Sequence, residues 1–360
     1  MMKVAQILVG TAWSGGQNQV FELLTRMEGI EQILITPPGS VLGDKAEKAG
    51  IRVFRLAPRG NIDLKYIRTV SDIIGKEKVD LINTHRSKSH TCMLLLKMFF
   101  NKKVKLIVTR RVSFGQNMFS RIKYKSRLIN GYIAVSEGVK KVLTETGIPA
   151  KKIKVIYSGV DTQRFSTAPV LDIKNELGIP PDDQMFCCIA NYFGWKGQDI
   201  LLEAISLGKF IFKNSHFIFA GHRTDERQFL EKAEKLGISG MVRGLGFRED
   251  VEKIIAGSNC LIMPSLSGEG FSGAIREALS MGRPVIATRI PGSDELVKDG
   301  VTGFLVEPSN AYSLMEGIRK LYNNPILQKE FGKNGRELIM KRFSIERTVA
   351  DTSEFYKQFI

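Results

Sequence analysis

Short apolar, β-branched runs alternate along this chain with stretches whose apolar residues recur at helical spacing. In the first half the strand-like runs are 5–9, 32–35, 52–54, 81–83, 106–109, 132–135 and 153–156, with helix-like stretches such as 19–27 and 139–145 between them. Over 158–169 the pattern pauses in a turn-rich stretch that reads as a linker. It restarts with strand-like runs at 185–190, 217–220, 242–244, 261–263, 285–287 and 304–306. A helical tail over 310–360 follows, interrupted near Pro325 and near Phe343 and Ser344. Strand–helix alternation predicts an α/β fold with parallel sheets covered by helices on both faces. At 360 residues the chain suits two such domains. The expected division is 1–160 and 161–344, with a last helix over 345–360 packing back on the first domain. Two doubly wound sheets are expected to face each other across a cleft at their strand C-terminal edges, where such sheets bind ligands.

Composition adds little to the fold and something to the function. Apolar content of 43% and charged content of 25% are ordinary for soluble protein. No apolar run approaches the roughly 18 residues of a membrane-spanning helix. The first ten residues lack a basic leader and a small-residue cleavage site, so they read as a first strand and the protein as cytoplasmic. Cys92, Cys187, Cys188 and Cys260 show no paired metal-ligand spacing and read as buried thiols, with no metal or cofactor expected. Net charge is +16, from 53 basic and 37 acidic side chains. Between Asp80 and Glu137 there is no acidic residue and there are twelve Lys or Arg. The first half should therefore carry a positive face, attractive to phosphate, nucleic acid or an anionic membrane.

The densest chemistry lies in Pro264-Ser-Leu-Ser-Gly-Glu269-Gly270-Phe271-Ser272-Gly273-Ala-Ile-Arg-Glu277. A strand ends near Met263, a Gly- and Ser-rich loop follows, and a helix begins near Ser272 or Gly273. Glycines admit close backbone approach, and the open N–H groups of a first helical turn favour an anion such as a diphosphate. Glu277 shares a helix face with that first turn, where a carboxylate suits sugar or ribose hydroxyls. Glu269 lies in the loop itself. The plain alternative is a solvated helix residue and a loop charge. Gly268-x-Gly270-x-x-Gly273 also matches the dinucleotide pattern, but residues 264–267 separate it from the strand. A nicotinamide-dependent oxidoreductase is therefore the weaker reading.

Further segments fall in order around this one: Trp195-Lys196-Gly197-Gln198-Asp199, Val242-Arg243-Gly244-Leu245-Gly246-Phe247, Gly282-Arg283-Pro284-Val285, and Asp299-Gly300-x-x-Gly303-Phe304. Together with Ile156-x-x-Gly159-Val160-Asp161 and the Glu-(seven residues)-Glu pair, they make the chain resemble the retaining glycosyltransferases of family 4, which have the two-domain GT-B fold. The resemblance implies transfer of a sugar from a UDP- or GDP-linked donor to a glycan or lipid-linked acceptor, in polysaccharide or lipopolysaccharide synthesis. It implies that Glu269 contacts the donor sugar, that Gly270, Phe271, Ser272 and Gly273 serve sugar and diphosphate, that Glu277 holds the ribose and that Lys196 neutralises the diphosphate. Arg243 is placed in the same donor site, and Gly15 and Gly16, after the first strand, lie against the diphosphate in the family. No Asp-x-Asp occurs, consistent with a metal-independent site.

Two departures stand out. The family's arginine before the Lys-Gly pair is missing from Ala190-Asn191-Tyr192-Phe193, and its histidine after the strand at 106–109 is replaced by Arg110-Arg111. One of these two arginines, with Arg111 the candidate, is expected to replace the lost charge or bind an anionic acceptor. His85 is the cleft candidate of Asn83-Thr84-His85-Arg86, with a satisfied structural histidine as the alternative. The segment Met93 to Lys103, an apolar run joined to lysines, and the four basic residues in 120–127 read as a patch for the inner face of the cell membrane; the alternative, favoured for Leu94–Leu96, is a buried crossover helix with a solvated basic end. A GT-B epimerase would share the fold without an acceptor. A nucleic-acid-binding role is not expected, because few aromatics interleave the charges.

Overall fold

The structure, a computed structural model, describes residues 1–60, 62–115, 118–167 and 173–360, with the backbone alone at 118–120. The chain forms two compact units, Met1–Gly159 with Ile345–Ile360, and Val160–Ser344.

In the first unit the strands are β1 (Met2–Ile7), β2 (Ile30–Thr36), β3 (Arg52–Arg55), β4 (Leu81–Thr84), β5 (Lys105–Arg110), β6 (Gly131–Ala134) and β7 (Ile153–Val155). They form one parallel sheet in the order β3-β2-β1-β4-β5-β6-β7. The connecting helices are α1 (Gly15–Arg26), α2 (Val41–Lys48), α3 (Leu64–Lys76), α4 (Ser87–Phe99), α5 (Met118–Tyr124) and α6 (Glu137–Glu145). The central strands are buried on both faces, as a sheet sandwiched by helices requires. Ser40, Asp63 and Ser136 cap α2, α3 and α6 with side-chain hydrogen bonds.

The second unit opens with α7 (Ile173–Glu176) and continues with β8 (Gln184–Ile189), α8 (Gln198–Leu207), β9 (Ser215–Ala220), α9 (Arg227–Lys235), β10 (Val242–Gly244), α10 (Val251–Gly257), β11 (Cys260–Met263) and α11 (Gly273–Ser280). Then come β12 (Val285–Thr288), β13 (Gly303–Val306), α12 (Ala311–Leu321) and α13 (Pro325–Arg342). Its parallel sheet has the order β10-β9-β8-β11-β12-β13. The last helix, α14 (Ile345–Lys357), belongs to the first unit, where Ile345, Val349, Phe355 and Tyr356 join the core with Val4, Leu81, Ile107 and Ile133.

Each predicted strand has a counterpart in these sheets, and the bounds differ by a few residues at most. The largest offset is β1, expected at 5–9 and found at Met2–Ile7. Its polar start pairs with Ile30 and Glu31 on β2, a register that hydropathy alone does not show. The boundary between the units, at Gly159 and Val160, falls inside the stretch 158–169 read as a linker, and the described residues after it are packed. Phe165 is buried and its carbonyl accepts from Ser280 Oγ at 2.6 Å, Arg164 reaches Glu252 at 2.9 Å, and Val160 bridges to Ser344. Residues 168 and 169 lie outside the described part. The four cysteines are buried. No described helix is long and apolar enough to cross a membrane.

Candidate active site

Strand order reverses twice, at β1/β4 and at β8/β11. At such a point the loops after two neighbouring strands diverge and leave a crevice beyond their C-terminal ends. In the second unit those loops carry the residues singled out by the sequence. The loop after β8 holds Lys196, at the end of a single 3₁₀ turn (Gly194–Lys196), and the loop after β11 holds Glu269.

The two side chains meet, with Lys196 Nζ donating to Glu269 Oε1 at 2.6 Å. Ser265 Oγ donates to the same oxygen at 2.7 Å. The ammonium lies 4.3 Å from the centre of the Trp195 ring, a cation–π distance. Leu266 N–H donates to the Trp195 carbonyl at 2.8 Å, joining the loops through their backbones as well. The pair is mostly withdrawn from water, where charge contacts are screened little. An ammonium has three donors, and Glu269 takes one. Two glycines make this approach possible. Gly197 has φ of 71°, and a Cβ there would stand 1.9 Å from the Pro264 carbonyl oxygen. Gly292 has φ of 92°, and a Cβ there would stand 2.6 Å from the Gly270 carbonyl oxygen.

Gly273 starts α11, and the N-cap Ser272 makes no side-chain capping bond. The first N–H groups of the helix are therefore available to an anion. Glu277 folds back over this turn, its Oε1 being 3.5 Å from where a Cβ on Gly273 would sit. Burial pushes its carboxyl up from the ordinary value, while the charges of Arg276 and Arg164 oppose the shift. Phe271 is buried edge-on against Phe343 at 5.1 Å. Thus Lys196, Glu269, Gly270, Phe271, Ser272, Gly273 and Glu277 lie along two touching loops and one helical turn. Arg243 does not join them. It sits on the edge strand β10, and its guanidinium donates to the Leu177 carbonyl.

In the first unit the loops after β1 and β4 bring Gly15, Gly16 and His85 to the other reversal point. Arg111, just past β5, lies over the start of α1, its Cδ 3.5 Å from where a Cβ on Gly16 would sit. Arg111 donates through Nη1 to Ser158 Oγ at 3.2 Å and through Nη2 toward His85 Nδ1 at 3.4 Å. A guanidinium has no acceptor, so Nδ1 of His85 carries the lone pair and Nε2–H donates to Gln6 Oε1 at 2.8 Å. His85 is buried, and burial together with Arg111 holds its pKa well below the usual 6.5. Arg110 does other work: Nε donates to the Val112 carbonyl at 3.0 Å and Nη2 to the Phe114 carbonyl, shaping the loop after β5.

Several functional neighbours escape sequence reading. Arg276 is buried; its Nε donates to the Ser272 carbonyl at 3.2 Å and its guanidinium lies 5.6 Å from the Phe271 ring centre, so it braces the glycine loop. A lone arginine beside a motif glutamate was its only signal. Where the family arginine is missing, Tyr192 donates to Asp199 Oδ1 at 2.7 Å and accepts from Lys232 Nζ of α9 at 2.7 Å. Tyr356 of α14 accepts from Asn83 Nδ2 at 2.6 Å and from Gln6 Nε2 at 3.3 Å, and so supports His85 from 350 residues downstream of Gln6.

Comparison with known proteins bears on the family and the fold. Residues 13–164 match the model for Glycosyltransferase Family 4, and 170–338 that for Glycosyl transferases group 1. The uncharacterized glycosyltransferase MJ1178 of Methanocaldococcus jannaschii is 30% identical over 295 residues, 80% of this chain and 78% of that protein. MJ1069 from the same organism is 27% identical over 255 residues, 69% of this chain and 62% of that protein. The Escherichia coli UDP-Gal:alpha-D-GlcNAc-diphosphoundecaprenol alpha-1,3-galactosyltransferase is 25% identical, over 99% of this chain and 96% of its own. Among solved structures, the glycosyltransferase of Rickettsia africae ESF-5 has a TM-score of 0.90 at 23% identity, covering 99% of this chain and 98% of that one. Anabaena Alr3699/HepE in complex with UDP-glucose has a TM-score of 0.88 at 20% identity, covering 99% and 100%. With one family model on each half and a relative 30% identical across most of its length, the chain belongs to glycosyltransferase family 4 and has its GT-B fold.

Proposed function

We propose that this protein moves a sugar from a nucleotide-sugar donor to a glycan or lipid-linked acceptor, with retention of configuration, in the synthesis of cell-surface polysaccharide or lipopolysaccharide. The observation that carries the reading is the Lys196–Glu269 pair beside the uncapped start of α11, with Glu277 folded over the same turn. Breaking a sugar–phosphate bond needs charge stabilisation of the departing diphosphate. The spare N–H bonds of Lys196 and the first N–H groups of α11 supply it in this reading, without a metal or other cofactor. Glu269 accepts from donor-sugar hydroxyls and Glu277 from the ribose, a role that needs both ionised. The Arg276 charge opposes the upward push that burial gives the Glu277 carboxyl. In a front-face route the acceptor hydroxyl loses its proton to the leaving phosphate, so no protein nucleophile is needed. In the first unit, neutral His85 and Arg111 at the strand-order reversal are the candidates for handling an acceptor. UDP in the names of the Escherichia coli and Anabaena proteins favours a uridine nucleotide, and the diphosphoundecaprenol in the former favours a lipid-linked acceptor at the inner face of the membrane.

The test is thermal unfolding with UDP, GDP, ADP and their sugars. A ligand at a hundredfold excess over its Kd stabilises the native state by about 2.7 kcal/mol, a shift of several degrees. The uridine compounds should raise Tm most. Glu277→Ala should abolish most of that shift and leave the melting of the free protein nearly unchanged. If no nucleotide raises Tm, the donor-site reading fails.

A further inference from the structure

Strands β5, β6 and β7 are adjacent and parallel, so the connections that enter them share the N-terminal edge of the first sheet, opposite the edge that carries His85 and Arg111. Those connections come from the ends of α4, α5 and α6, and side chains tie them together. Lys97 Nζ donates to Asn130 Oδ1, and Lys152 Nζ donates to the Ile129 carbonyl at 2.9 Å. Lys125 Cε lies 2.8 Å from where a Cβ on Gly147 would sit. The edge is thus one continuous surface.

It is strongly cationic. Lys97 itself is buried, and burial, more than the charges of Lys105 and Lys152, pushes its ammonium down to about 8. Lys102, Lys103, Lys125 and Lys151 are exposed on the same connections. The acids at this end of the neighbouring connections are Glu145, at the end of α6, and Glu77 and Asp80 before β4; Glu77 is paired with Lys3 and Arg52, and Asp80 accepts the backbone N–H of Lys3. At the end of α4 the surface also exposes Phe99 (62%) and Phe100 (45%), although the same helix buries Met93 and Leu96 completely.

Two bare aromatic rings beside a field of lysines fit one partner best. A soluble polyanion would match the lysines and leave the rings in water, and an apolar protein face would match the rings and strand the lysines. An anionic bilayer offers phosphates to the lysines and an acyl boundary to the rings. We propose that this edge docks on an anionic lipid surface, with Phe99 and Phe100 entering the headgroup–acyl boundary and Lys102, Lys103, Lys125 and Lys151 over the phosphates. The docking is independent of the donor chemistry proposed above; it rests on that reading only in giving the membrane a purpose.

The test is co-sedimentation of the whole protein with vesicles of phosphatidylcholine alone, or of phosphatidylcholine with about one-third phosphatidylglycerol, a composition that supplies the anionic surface potential lysines respond to. Binding is expected only to the anionic vesicles and should fall as salt rises. Phe99→Ala with Phe100→Ala, and separately Lys102→Glu with Lys103→Glu, should each weaken partitioning by about tenfold or more. Lys333→Glu with Lys341→Glu, on α13, should not. All variants should keep the nucleotide-induced Tm shift of the parent, which separates failure here from failure of the donor site. Absence of binding to both vesicles, or equal binding by all variants, overturns the proposal. So does pelleting without vesicles, which would mean self-association. Heparin retention that survives loss of the two rings while vesicle binding is absent would mean a soluble polyanion and would also overturn it.

Discussion

His85 and His90 are both buried as neutral rings, by different means. His85 is fixed by Arg111 on one nitrogen and Gln6 on the other. His90, on α4, stands edge-on to Tyr124 at 4.7 Å, and neither of its nitrogens has a hydrogen-bond partner among the described residues. Burial pushes both well below the usual 6.5, with Arg111 adding to the shift of one and Lys123 and Arg110 to that of the other. The unfolded chain therefore takes up protons below that pH that the folded chain refuses. Their contribution to stability is full above about 6.5 and is lost as pH falls below it. Asp250, held well below the carboxylate range by Arg248, acts with the same sign but only in stronger acid, while Glu277, pushed up by burial, acts with the opposite sign, so the part due to His90 is read from the difference between parent and His90→Phe. Tm should fall between pH 6.5 and about 5, and His90→Phe should flatten the fall while leaving Tm near pH 7.5 little changed. An unaltered slope in His90→Phe would show that this ring does not carry the effect. At this scale the two glutamates were legible because their spacing is rigid within one motif. Tyr356 was not, because nothing in a sequence reports a hydrogen bond spanning most of the chain.

The loops after β8 and β11 hold their shape through Gly197. Its φ of 71° and a Cβ position 1.9 Å from the Pro264 carbonyl oxygen rule out a side chain on two counts. Gly178 has a similar φ of 60° with open space around it, and so isolates the backbone contribution. Gly178→Ala should cost about 1 kcal/mol, the usual penalty of a left-handed alanine. Gly197→Ala should cost several times that and weaken nucleotide binding as well, because the clash drives Lys196 away from Glu269. Urea unfolding and nucleotide titration of the two variants would check this, and equal behaviour would refute it. Strands were legible as elements because buried parallel strands are continuous apolar runs. The short helix α7 and the packed segment around Phe165 were not, because turn-rich sequence looks the same whether it hangs free or rests on a neighbouring helix.

The division into two units was legible from the pause in strand–helix alternation, but the physical ties of α14 to the first unit come only from the fold. Its aromatic rings rest on the backbone of β6, where a Cβ on Gly131 would stand 2.8 Å from Phe359 Cζ and 2.9 Å from Phe355 Cζ. Its Tyr356 also completes the hydrogen bonds of Gln6 and Asn83 beneath His85. A chain ending at Ser344 should therefore lose the cooperative melting of the first unit and its amide protection along β1, β4, β5 and β6. The second unit should still melt as a unit and respond to nucleotide. Calorimetry and hydrogen exchange would separate the two, and an intact first transition would contradict the expectation. The same tie sets an order of events on the ribosome. The half of the molecule that emerges first has its apolar floor left open along Val4, Leu81, Ile107 and Ile133 until the final helix is made. The later half can close earlier, so any pause or early stop in translation leaves the older half as the exposed, chaperone-dependent one.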